Sequence, residues 1–106
     1  MDSKNKLKDK NIINTCARMG KKVYSRFFIL KFLPSKETRF AIVVSKKVST
    51  KATVRNYKKR QIRVVLQENI LSIPKIDGLL VLKNEAVETK FSEIKIDLED
   101  LLKRVR

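Results

Sequence analysis

Hydrophobic positions along the 106-residue chain change period several times, and each change marks an expected element. Ile12, Ile13, Cys16 and Met19 recur at helical spacing between Asp9, a capping residue type, and Gly20, a stop. The pattern predicts a helix over Lys10–Met19, preceded by a polar, basic stretch over residues 1–8 that reads as a mobile arm. Residues 23–33 are dense in Tyr, Phe and Ile and predict β structure. Pro34-Ser35-Lys36-Glu37-Thr38 has hairpin length, and residues 39–46 return as the next strand. There Phe40, Ile42 and Val44 share one face, with Ala41, Val43 and Ser45 on the other. The smaller face either leaves room for something to lie across it or is simply buried.

Residues 54–66 contain no Gly or Pro and are rich in Arg, Lys, Gln and Leu, which predicts a second helix. Pro74 disfavours its continuation, so an end near residues 71–73 is expected. Its apolar side (Val54, Ile62, Val65, Leu66) is thin, because Lys58 and Gln61 fall close to the arc that should face the core. Asp77-Gly78 reads as a turn, and residues 79–82 form an apolar run of strand length. Thr89 or Ser92 is placed to cap a last helix running to about Val105. Phe91, Ile94, Leu98, Leu101 and Val105 recur in it at steps of three and four. The expected fold is α+β in a single domain over residues 1–106, with a mixed sheet of about four strands, helices packed against it and the order α-β-β-β-α-β-α.

Charge changes this picture from a generic fold to a binding protein. The net charge is +15, and the sequence pI is near 10.3. Residues 1–67 carry +16 and residues 68–106 carry −1. On the second helix Arg55, Asn56, Lys59, Arg60 and Arg63 fall within one arc of roughly 140° at about 100° per residue. Residues 38–67 contain no Asp or Glu, so none of these cations has a nearby partner in sequence. A solvated helix face normally interleaves both signs, and a stripe of one sign with guanidinium forks suits a phosphate polymer. Lys46, Lys47 and Lys51 flank the same helix.

Other chemistries fall away. With no histidine, imidazole acid–base catalysis and Ser-His or Cys-His pairs are excluded. The single Cys16 excludes an internal disulfide and a thiolate zinc site, fits a reducing cytoplasm and reads as a small buried hydrophobe. No run has the length of a signal peptide or membrane span, so a cytoplasmic protein without membrane association is expected. Glu93, Asp97, Glu99 and Asp100 occupy the polar side of the last helix and read as a solvated face rather than metal ligands or catalytic acids.

The series Arg55-Asn56-x-x-Lys59-Arg60-x-x-Arg63, after Val44-Ser45-Lys46-Lys47, resembles the protein subunit of bacterial ribonuclease P from about Lys6 onward. The resemblance implies a ribonucleoprotein endoribonuclease in which RNA, with Mg²⁺ at its active site, removes the 5′ leader of precursor tRNA. It places Arg55, Asn56, Lys59, Arg60, Arg63, Lys46 and Lys47 on the catalytic RNA. It assigns Ser45, Ala41, Ile13, Ala17 and Lys51 to a leader cleft, with no catalytic or metal-binding residue in the protein and no obligate protein partner. It also implies a left-handed β-α-β crossover, against the usual rule. This chain departs from the family pattern in four places. The connection before the basic helix lacks a Gly and is one residue longer. Lys58 and Gln61 stand at usually apolar helix positions, Ile13 and Ala17 stand where cleft aromatics are usual, and Gly78 replaces another aromatic. Leader contacts are therefore expected to lean on phosphate more than on stacking. The alternative reading is a non-catalytic RNA-binding protein of ribosomal type, which composition alone fits equally. A DNA-binding module is disfavoured because no helix-turn-helix pair accompanies the basic helix. A protein-only nuclease is disfavoured because the basic region has no carboxylates.

Overall fold

The computed structural model describes residues 3–86 and 89–105, and its main elements follow the expected order. They are α1 (Lys10–Met19), β1 (Lys21–Tyr24), β2 (Phe28–Pro34), β3 (Arg39–Val44), α2 (Ala52–Glu68), β4 (Ile76–Leu82) and α3 (Phe91–Arg104). Asp9 caps α1 by accepting from the backbone N–H groups of Asn11 and Ile12. Gly20 ends it in extended backbone, where a side chain would meet the Cys16 carbonyl at 2.5 Å and the Phe32 nitrogen at 2.9 Å.

The four strands lie in the order β1-β2-β4-β3, antiparallel except for the parallel pair β3 and β4. The expected hairpin across residues 34–38 does not form, because β4 lies between β2 and β3. Six of the seven β4 residues are buried, and a strand apolar on both faces belongs in the middle of a sheet. β3 leaves Val43 exposed and Ala41 half-buried, which an edge strand tolerates. The hairpin forms instead within residues 23–33, which break at Ser25 and Arg26.

Asp97 holds that break. Its carboxylate accepts from Ser25 Oγ at 2.7 Å, the Phe27 amide at 2.9 Å and the Arg26 amide at 3.2 Å. Expected on a solvated face, it is a structural acceptor, since a tight β1–β2 turn leaves these donors without ladder partners. Glu99 likewise accepts from Asn69 Nδ2 at 3.1 Å.

Asp77 and Gly78, expected as a turn, sit inside β4. A side chain at Gly78 would lie 2.9 Å from two ring carbons of buried Phe40, so the glycine answers a packing need. Asp77 is buried and binds Arg39 through two hydrogen bonds of 2.8 and 3.0 Å. Residues 5–7, within the stretch expected as an arm, lie against β3 and the segment before it. Leu7 is buried, its N–H donates to the Phe40 carbonyl at 2.9 Å, and Lys6 bridges Phe40 along the outer edge of β3. Met1 and Asp2 lie outside the described residues.

One face of the sheet carries the main core. Phe28 and Leu30 of β2, Phe40 and Val44 of β3, and Leu80 and Leu82 of β4 pack there on Ile62, Val65 and Leu66 of α2 and Ile94, Leu98 and Leu101 of α3. Each such side chain contributes about 1.5–3 kcal/mol on burial. Lys90 rather than Thr89 or Ser92 is the N-cap of α3, with no side-chain cap bond. α2 stops at Glu68, about a turn short of expectation. The Asn69 side chain closes it by donating to the Val65 carbonyl at 2.8 Å, and Ile70–Ser72 tightens into a 3₁₀ turn.

Candidate nucleic-acid interface

α2 lies beside β3 because Ile62, Val65 and Leu66 are drawn into the core, and this turns its charged stripe outward. Asn56 and Arg60 are exposed, while Arg55, Lys59 and Arg63 are half-buried. Arg55 Nη1 donates to the Ser49 carbonyl at 2.9 Å, bracing the loop before the helix. Arg63 Nε is buried without a hydrogen-bond partner among the described residues. Lys46 and Lys47 are exposed on the turn after β3, and exposed Lys51 is the N-cap of α2, without a side-chain cap bond. The first turn of α2 contains no acid, so Lys51 and Arg55 add their charge to the positive end of the helix dipole. The ion pairs among the described residues are Arg39–Asp77 and Lys95–Glu68, and neither uses a stripe cation. The interface is therefore uncompensated positive charge on a rigid element, which favours an anionic polymer.

Lys58, the cation nearest the core side, is different. It is buried, its Nζ donates to the Thr89 carbonyl at 3.2 Å, and desolvation pushes its pKa down. It ties α2 to the segment before α3 and takes no part in the stripe.

The second feature is the other face of the sheet, where α1 packs over β4 and β2. Cys16 of α1 is fully buried there, and its thiol donates to the Asp77 carbonyl at 3.3 Å. Burial and the Asp77 charge raise the Cys16 pKa, keeping it a protonated thiol. Ile13 and Ala17 lie half-buried on one flank of α1, and Ala41 shares the sheet face with the helix. Ser45 follows β3, where its carbonyl accepts from Val48 N–H at 3.0 Å. Lys51 belongs with the α2 terminus rather than with α1. Strand register then defines an apolar row across the rest of the face: Tyr24, Ile29, Val81 and Val43. Tyr24 is 53% exposed and Val43 38%, with Ile29 and Val81 half-buried. An open apolar row on a sheet, bordered by a helix flank, makes a shallow groove suited to an extended single strand.

The row was missed from sequence for a specific reason. Read as one strand, residues 23–33 put Tyr24 and Ile29 on opposite faces. The turn at Ser25 and Arg26 folds them onto the same one. A Ser-Arg pair inside an aromatic run is a weak turn signal, and its acceptor, Asp97, is 72 residues from Ser25.

The model of the ribonuclease P protein family matches residues 1–106. The chain belongs to the ribonuclease P protein family. It is 44% identical over 89 residues to the ribonuclease P protein component of Thermus aquaticus, an alignment covering 84% of this chain and 51% of that protein. The chain thus spans about half the length of the Thermus relatives it matches. The structure of the Staphylococcus aureus RNase P protein aligns with a TM-score of 0.88 at 26% identity, covering 96% of this chain and 95% of that one. The Thermotoga maritima RNase P protein aligns at 0.86 and 27% identity, covering 95% and 97%. No helix among the described residues is long and apolar enough to cross a membrane.

Proposed function

We propose that this chain is the protein subunit of a ribonucleoprotein endoribonuclease that matures the 5′ end of tRNA, acting in the cytoplasm. Arg55, Asn56, Lys59, Arg60 and Arg63, with Lys46 and Lys47, bind phosphates of the catalytic RNA. Ile13, Ala17, Ala41 and Ser45 line the groove that receives the single-stranded leader of precursor tRNA, and Lys51 meets its phosphates. The observation that carries this reading is the stripe on α2, five side chains on one helix face with no carboxylate partner among the described residues.

Mg²⁺ is assigned to the RNA and the substrate, whose phosphate oxygens are the hard ligands it takes. The protein's contribution is to neutralise phosphates where two RNAs meet and to hold the leader in one orientation, which lowers the entropic cost of presenting the scissile bond. Reconstitution tests this directly. Protein plus catalytic RNA should cleave precursor tRNA at Mg²⁺ concentrations where the RNA alone is inactive. Cleavage by the protein alone would overturn the assignment.

A further inference from the structure

Beside the open row, two lysines face each other. Lys22 of β1 is the direct cross-strand partner of Lys31 of β2 on the α1 face, which puts two like charges about 5 Å apart at Cβ. Neither takes part in the ion pairs found among the described residues. Lysine on an edge strand deters unwanted pairing, but Lys21 on the opposite face already serves that end and sits across from Phe32 rather than from a charge. Like charges directly opposite each other on two strands disfavour the pairing, and an anion between them relieves the repulsion.

Tyr24 stands two residues along β1 from Lys22, on the same face. Its position is held from three sides. Arg104 Nη1 donates to the Tyr24 carbonyl at 2.9 Å, Lys83 Nζ donates to the neighbouring Ser25 carbonyl at 2.7 Å, and Asp97 fixes the turn. Lys83 Nζ also lies 6.0 Å from the Tyr24 ring centroid. An aromatic ring fixed at its backbone, more than half open, and one strand step from two cations that form no ion pair among the described residues has the parts of a nucleotide site: a face for a base and charge for its phosphate.

We infer that Lys22, Lys31 and Tyr24 form a nucleotide subsite at the β1 edge of the sheet, where the lysines take a phosphate of single-stranded RNA and Tyr24 stacks on an unpaired base. The inference rests on the reading that the leader crosses this face, and it extends the leader's path from the α1 flank to the outer strand. A duplex does not fit, because its paired and stacked bases offer no free face to the ring. The site also supplies an aromatic that Ile13 and Ala17 do not.

The test uses the full chain and an unstructured oligoribonucleotide carrying 4-thiouridine. Photo-crosslinks should map to Tyr24 or to its neighbours on β1 and β2. Tyr24→Ala should weaken binding about tenfold, within the range for one base–aromatic stack, while Tyr24→Phe keeps wild-type affinity. Lys22→Ala should flatten the salt dependence by slightly less than one unit of slope. Wild-type affinity in Tyr24→Ala, an equal loss in Tyr24→Phe, or crosslinks confined to α2 would each overturn the subsite. So would displacement of the oligonucleotide by polyglutamate equally well from wild type and Tyr24→Ala, which would mark a site for acidic protein segments. The holoenzyme separates this from the leader reading. If it does not prefer leader-bearing tRNA but Tyr24→Ala still loses the oligonucleotide, the subsite stands and the leader assignment falls. A leader preference that survives Tyr24→Ala unchanged, with oligonucleotide affinity also unchanged, sinks the subsite alone.

Discussion

Gly78 shows how a single residue serves the whole sheet. With Phe40 on one neighbouring strand and Leu30 on the other, there is no room for a methyl group at its position. Gly78→Ala should therefore cost about 1–3 kcal/mol as overpacking, read as a lower unfolding midpoint. Combining it with Phe40→Leu should recover part of the loss, and a neutral Gly78→Ala would contradict the packing account. From sequence, Asp77-Gly78 looked like a turn because that pair usually is one. Its real meaning depends on Phe40 and on Arg39, which pairs with Asp77, and both lie on another strand. Residues whose roles are set by distant partners, such as Asp97 at the β1–β2 turn, were illegible for the same reason. Asp9, which acts within its own helix turn, was legible.

At the scale of elements, helices were easier to read than strand pairing. α1 and α3 show their faces by period alone, and the basic stripe of α2 is a local pattern that needs no tertiary knowledge. Sheet order is non-local: only the burial of β4 on both faces reveals that it separates β2 from β3. The apolar row of Tyr24, Ile29, Val81 and Val43 depends on that order and on the hidden β1–β2 turn, so it emerged only with the structure. The stripe can be tested as an element. Replacing Arg60 and Arg63 with Ala should weaken RNA binding and flatten its log–log salt dependence by about 1.5 units, close to the loss of two phosphate contacts. The same change at exposed Lys75 and Lys103, in the near-neutral part of the chain, should do little. Equal losses from both pairs would mean that the charge acts diffusely.

Over the whole molecule, the uneven charge sets both stability and partnership. Residues 1–67 carry +16, and their self-repulsion opposes compaction. Multivalent anions that bind the folded state should raise its stability by mass action. Sulfate or phosphate should therefore raise the unfolding midpoint more than chloride at equal ionic strength, whereas equal shifts would exclude specific anion sites. In the function proposed above, the same charge relieves the phosphate repulsion between two RNAs. Charge alone would help every tRNA species alike, whereas a groove for a single strand helps only a substrate that has one. The most direct test is therefore the affinity of the catalytic RNA for precursor tRNA and for mature tRNA, with and without this protein, at fixed salt and Mg²⁺. The proposed function predicts marked tightening for the precursor and little change for the mature tRNA; equal tightening of both would contradict the leader groove and leave only charge neutralisation.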